Sequence, residues 1–259
     1  MKRLFRLTYL WFLLAGPAAA EVVLTQADGS SLTLSSPVTE IITLSPHLAE
    51  LVYAAGAEAH LIATVEYSNY PEAAATLPRV GDAFRIDIER IMSLKPGLVV
   101  AWDSGNPGQA IEQLESLGLP VWSVEIRTPG QIAEALVEIG KATGENASAQ
   151  KAAQRFSERL QTLREQYSSR ITVDYFYQVA ERPLFTINGE HLIAQGLMLC
   201  GAHNIFSDQP GLAFQVSHES VIVANPDALF APDIESVENP LDTWREWPGM
   251  NAVQQNALF

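Results

Sequence analysis

The chain has a single cysteine, Cys200, in 259 residues. That excludes an internal disulfide framework. The thiol reads either as a small buried hydrophobe or as one half of a pair. Positive charge is also scarce, with 16 Lys+Arg against 30 Asp+Glu and a formal net charge of −14. Nucleic acid and anionic membrane surfaces are bound through basic patches, so neither is expected as a partner. Beyond the first twenty residues no run of eighteen apolar residues occurs, so no membrane-inserted helix is expected. Motifs of catalysis are missing too: there is no Gly-x-Ser-x-Gly elbow, P-loop or His-Glu-x-x-His. The five histidines, His47, His60, His191, His203 and His218, are scattered without close ligand spacing. A site assembled across the chain from His47, His60 and carboxylates stays open, but no catalytic residue, metal site or cofactor is expected.

What is present begins with a basic start, Lys2, Arg3 and Arg6, followed by an apolar run from Leu7 to Leu14 and by Ala18-Ala19-Ala20. This pattern predicts a signal peptide over residues 1–20 and an exported chain starting at Glu21. No cysteine follows the apolar run, so lipid anchoring there is not indicated. Removing the segment takes away three cations and no acid, which leaves the chain still more acidic.

One fifteen-residue pattern occurs twice, 130 positions apart: Ile86–Val100 aligns without a gap on Val216–Phe230. In each copy an N-cap residue (Asp87, Ser217) is followed by an acid in the first turn (Glu89, Glu219), then apolar helix residues. A proline (Pro96, Pro226) and an apolar strand complete each copy. The repeat predicts two similar lobes, each showing one glutamate at the same corner. Such a pair reads either as two dipole-serving surface acids or as two charges gripping arginines of a two-fold symmetric partner.

Around the repeat, Val22–Leu34 reads as a hairpin turning at Asp28-Gly29. Strands are expected at Ile41–Leu44, Leu61–Val65, Leu98–Trp102 and Pro120–Val124, with helices from Pro46, over Ala110–Leu117 and over Ile132–Thr143. Residues 145–168 contain no Gly or Pro, and Ala152, Phe156, Leu160, Leu163 and Tyr167 fall on one face. They predict a rigid helical strut. A second α/β set follows from Ile171, with a helix at Ile193–Leu199. The fold class expected is therefore α/β: two Rossmann-like lobes with mostly parallel sheets, joined by one long rigid backbone helix. The boundaries are a hairpin extension at 21–36, an N-terminal lobe at 37–144, the backbone helix at 145–169 and a C-terminal lobe at 170–259. Asn251–Phe259 stops as a strand begins, so a C-terminal truncation is expected.

Aromatic residues stand where strands end. Tyr67 and Tyr70 follow one strand, Phe84 precedes the first repeat helix, and Trp102 closes its strand. Phe185 and Phe214 read as loop residues of the second half. Ligands of open α/β sheets bind beyond the carboxyl ends of strands. The expected ligand site is accordingly Tyr67, Phe84, Trp102, Asp103, Gly105, Asn106, Phe185 and Phe214. Aromatics without a cluster of cations predict a large, flat, weakly charged ligand. The cations expected near it are Arg85 and Arg182.

Ile42-Thr43-Leu44-Ser45-Pro46, Tyr67-Ser68-Asn69-Tyr70-Pro71, Val80-Gly81-Asp82, Ile88-Glu89-Arg90-Ile91, Leu94-Lys95-Pro96 and Val100-Ala101-Trp102 with Gly105-Asn106 resemble the helical-backbone substrate-binding proteins of ABC importers. Cys200-Gly201, Asn204-Ile205-Phe206 and Gln215-Val216-Ser217 with Glu219 extend the resemblance, which covers about residues 38 to 230. Among those proteins the chain is most similar to the corrinoid binders. The resemblance implies a monomeric periplasmic protein of a Gram-negative cell that is no enzyme. It would hold cobalamin or a related metal chelate in its cleft and deliver it to a permease dimer with ATPase subunits. It further implies that Glu89 and Glu219 dock on permease arginines, and that Tyr67 and Trp102 contact the corrin. Where the corrinoid binders carry a second tryptophan, this chain has Ala83 beside Phe84. Cys200 resembles a family cysteine whose disulfide partner lies in a last helix that this chain does not contain. The alternatives are a ferric siderophore or haem binder of the same fold and, more distantly, an exported metal-dependent enzyme.

Overall fold

The computed structural model describes residues 21–82, 84–167, 169–232 and 239–259. The expected signal peptide, Ala83 and Ser168 lie outside the described residues. Described elements run β1 (Val22–Thr25), β2 (Ser31–Leu34), β3 (Ile41–Thr43), α1 (Pro46–Ala54), β4 (Leu61–Ala63), α2 (Ile88–Leu94), β5 (Leu98–Trp102), α3 (Gly108–Ser116), β6 (Val121–Val124) and α4 (Pro129–Thr143). They continue with α5 (Asn146–Tyr167), β7 (Val173–Tyr177), β8 (Phe185–Ile187), α6 (Leu192–Leu199), β9 (Ala202–Asn204), β10 (Ala213–Gln215), α7 (His218–Ala224), β11 (Ala228–Phe230) and α8 (Asn251–Gln254).

Two all-parallel sheets organise the chain, one ordered β4-β3-β5-β6 and the other β11-β7-β9. The near-continuous apolar runs of β3 and β5 are what a strand covered on both faces requires, and Ile41, Ile42, Leu98, Val99 and Val100 are all buried. Helices α1 and α4 cover one face of the first sheet together with the β1–β2 hairpin. Helices α2 and α3 supply Ile91 and Leu114 to the other.

The hairpin is fastened to the first sheet rather than extending from it. Trp122 Nε1 donates to the Thr25 carbonyl at 2.8 Å, and the Gln26 side chain brackets edge strand β6, accepting from the Ser123 amide and donating to the Val121 carbonyl. Burying an indole the size of Trp122 contributes about 2–3 kcal/mol.

Both copies of the repeat fold alike. The Asp87 and Ser217 side chains accept from the Arg90 and Ser220 amides. Lys95 and Asn225, which precede the prolines, take left-handed conformations with φ of 51° and 48°. That turn, rather than an extended residue, ends each helix. In both copies the next strand is led into its sheet by one equivalent bond. The Gly97 amide donates to the Glu40 carbonyl at 2.9 Å, and the Asp227 amide to the Asp174 carbonyl at 2.8 Å.

Three expectations need correction. The strut spans 22 residues, about 33 Å at 1.5 Å per residue. It buries Ala149, Ala152 and Ala153 and leaves Phe156, Leu160, Leu163 and Tyr167 half-buried, because small residues are what let α5 pack closely on α4. Phe185 and Phe214 are not loop residues; they lie in β8 and β10, an antiparallel pair linking segments 28 positions apart, with Phe214 opposite Thr186. Asn251–Gln254 is helical, and only afterwards does Leu258 pair in parallel with Leu229 of β11.

Candidate functional site

A cleft of about 610 Å³ opens among α1, α4, α5 and the start of α6, at the carboxyl ends of β5 and β6. Its walls come from both sides of α5. His47, Glu50, Leu51 and Ala54 of α1, Ile132 and Leu136 of α4, Phe156 of α5, Leu212 and the Glu190–Leu192 segment all line the cleft. Tyr70, Trp102, Ser104 and Glu125–Arg127 complete it. Aliphatic and aromatic side chains dominate, with a few convergent polar groups, which is the composition of a small-molecule site.

Trp102 is seated by its own turn. A Cβ at Gly105 would overlap the Trp102 indole, so only glycine leaves room for the ring there. Asn106 fixes the turn: its Oδ1 accepts the Trp102 amide at 2.7 Å and its Nδ2 donates to the Leu44 carbonyl at 2.9 Å. The imidazole of His47 meets the indole edge-on, with ring centroids 5.3 Å apart and planes at 89°.

The loop carrying Tyr70 is held by buried hydroxyls. Thr43 Oγ1, Thr64 Oγ1 and Ser68 Oγ form a chain with both links at 2.9 Å, and Arg79 donates to the Ser68 carbonyl. Asp82 accepts from the amides of both Phe84 and Arg85, turning the chain just before α2.

Of the site residues expected from sequence, Trp102 lines the cleft, Gly105 seats it and Asn106 braces it from behind, buried. Asp103 lies exposed on the same turn. Tyr67 and Phe84 are 79% and 78% exposed and do not line the cleft; Tyr70 does, from the same loop as Tyr67. Phe185 and Phe214 are absent from the wall, and the Phe214 ring packs on Phe206 instead. The cations differ as well. Arg85 is exposed, Arg182 pairs with its neighbour Glu181, and the cleft's arginine is Arg127, bound to Glu125 at 3.1 Å.

Sequence reasoning missed Glu125, Arg127, His191 and Phe156, and weighed His47 only as part of a site with His60 and carboxylates. One signal was available, since Glu125–Thr128 follows β6 as Trp102–Pro107 follows β5. Burial holds both cleft histidines below their ordinary range, His47 against the pull of Glu125 and His191 with help from Arg127.

Glu89 and Glu219 are exposed in the first turns of α2 and α7. Backbone and Ser217 hydrogen bonds keep the Glu219 carboxyl below the usual carboxylate range. Cys200 is free and exposed at the end of α6. No group of three metal-ligating side chains, and no helix long and apolar enough to cross a membrane, occurs among the described residues.

Residues 41–259 match the family described as periplasmic binding protein. The chain is 37% identical over 231 residues to a vitamin B12-binding protein of Vibrio cholerae, covering 89% of this chain and 83% of the relative. It is likewise 37% identical over 230 residues to one of Yersinia pestis, covering 88% and 81%. The crystal structure of the periplasmic vitamin B12-binding protein of Vibrio cholerae superposes with a TM-score of 0.78 at 37% identity, over 86% of this chain and 87% of that one. A periplasmic haem-binding protein of the same organism shares the fold alone, with a TM-score of 0.75 at 23% identity. On this sequence match, with the parallel sheets and the cleft on the helical strut, the chain belongs to the periplasmic binding protein family.

Proposed function

We propose that this chain captures a corrinoid, cobalamin or a close relative, in the cleft beside Trp102 and delivers it to an ABC importer. The observation that carries the reading is the cleft wall: apolar surface, an indole held by its own turn, and cationic charge limited to Arg127, which Glu125 already neutralises. Glu50, Glu125 and Glu190 stand around it. A macrocycle with neutral amide side chains meets no charge conflict there. Haem propionates or an anionic iron chelate would face unpaired carboxylates, which costs affinity. The similarity to proteins named for vitamin B12 supports the same ligand.

In this reading residues 1–20 direct export to the periplasm and are removed. Lobes at 37–144 and 170–259 flank the helix at 145–169, with 21–36 fastened to the first. Glu89 and Glu219 meet arginines of the permease dimer. Tyr67 and Phe84 serve as exposed aromatics that close on ligand, and Asp103 offers a polar contact at the same edge.

Titration with cyanocobalamin, followed by heat and by tryptophan quenching, is expected to give saturable one-to-one binding. Binding of haem or a ferric siderophore with none of cyanocobalamin would sink the reading. A second expectation isolates the indole's seat. Gly105→Ala forces the ring off its turn and should weaken cyanocobalamin binding about tenfold, equivalent to about 1.4 kcal/mol. Unchanged affinity in that variant would show that Trp102 does not need this pose.

A further inference from the structure

Two imidazoles line the cleft, and their bonding decides what each can offer a ligand. His191 Nδ1 accepts the Ile193 amide at 3.2 Å, capping α6. That bond occupies the Nδ1 lone pair, so the neutral ring keeps its proton on Nε2 and presents only a donor. His47 differs. Its Nδ1 lies 2.6 Å from the hydroxyl of buried Ser45. A hydroxyl accepts as readily as it donates, so this ring is free to hold its proton on Nδ1 and leave a lone pair on Nε2. Among the described residues no hydrogen bond engages that nitrogen. The edge-on contact with Trp102 fixes the ring plane, and burial keeps the ring neutral at neutral pH. An imidazole of a cavity-lining residue, oriented by a bond at one nitrogen and with no hydrogen bond at the other, has the usual arrangement of a metal-binding histidine.

We propose that His47 Nε2 is an axial ligand to the metal of the captured macrocycle, binding a corrinoid cobalt whose axial position holds exchangeable water. The cobalt–water bond breaks, the water leaves, and the Nε2 lone pair forms the new bond. No electron is transferred, and the Nδ1 proton stays in its hydrogen bond to Ser45. This rests on the corrinoid reading and deepens it: the protein would supply an axial base to corrinoids that lack their own, and so retain incomplete as well as complete ones.

The test uses aquocobinamide, a corrinoid without a nucleotide base, beside cyanocobalamin. The visible bands of bound aquocobinamide are expected to move to the position of an imidazole complex with the wild-type protein and with His203→Ala, which replaces a histidine outside the cleft. They should not move with His47→Ala, whose aquocobinamide affinity should fall about tenfold or more. Free imidazole added to His47→Ala should restore the shift. A second measurement needs no variant. Reduced cobinamide bound to the wild-type protein should show cobalt resonance lines each split in three by one axial nitrogen. Cyanocobalamin binding with an unmoved aquocobinamide spectrum and no nitrogen splitting would overturn the ligation and leave the corrinoid reading standing. Failure of both corrinoids to bind would overturn both.

Discussion

Reversing both exposed first-turn acids, Glu89→Arg together with Glu219→Arg, is expected to cut corrinoid uptake through an importer by about a hundredfold or more. Cyanocobalamin affinity should stay within about threefold, as for other surface substitutions. The expectation rests on how rigidly each carboxylate is presented. Each glutamate rides on a seven-residue helix capped by a side chain in front and closed by a left-handed residue behind. Each helix is pinned by one fully buried residue, Ile91 or Val221. The Asn225 side chain, at the end of the second, also accepts the Asn251 amide at 2.8 Å. Little motion is left to freeze when a partner binds, which lowers the entropic cost of docking. One exposed ion pair is worth little, but two held at fixed positions act as one bivalent contact, so a single reversal should cost only about tenfold. Uptake and affinity measured on the same variants decide the matter. Affinity falling with uptake would assign the glutamates to the ligand site or the fold, and undiminished uptake would move the docking face elsewhere.

The repeat was legible in sequence because everything that forms it is local. Asp87 and Ser217 bond amides three residues on, and the turns at Lys95 and Asn225 end each helix at its proline. Trp102 was legible for a related reason, since the last residue of a buried parallel strand points to the ligand end of the sheet. The rest of the cleft was not. His47, Arg127, Phe156 and His191 come together only through the packing of α1, α4, α5 and α6, and no spacing along the chain records that packing. Asn106 shows the opposite failure. A polar residue in a polar turn looks like a ligand donor, yet its amide is spent bridging Trp102 and Leu44, the latter 62 residues away from Asn106. Phe185 and Phe214 misread as loops because strands of three residues are too short for alternation to declare itself.

Trp244→Ala is expected to cost about 3–5 kcal/mol of stability, measured by urea unfolding. Trp244 is fully buried in the core of the second sheet. Its ring lies 5.7 Å from Phe176, 5.5 Å from Trp247 and 5.0 Å from His218 at the start of α7. Its Nε1 donates to buried Gln178 Oε1 at 2.7 Å, and Gln178 in turn donates to the Pro240 carbonyl. Truncation therefore opens a cavity and also strands a buried acceptor, two costs that add. Trp244→Phe separates them: most of the volume remains, so the loss should shrink to about 1–3 kcal/mol, the cost of the unpaired amide. A loss below about 1 kcal/mol for Trp244→Ala would show that this core does not depend on the indole. Because His218 rests on both tryptophans and neighbours Glu219, loosening the core should also loosen the helix that presents the acid. Uptake by Trp244→Phe is then expected to fall while Glu219 itself is unchanged, whereas full uptake in a destabilised variant would uncouple docking from the core beneath it.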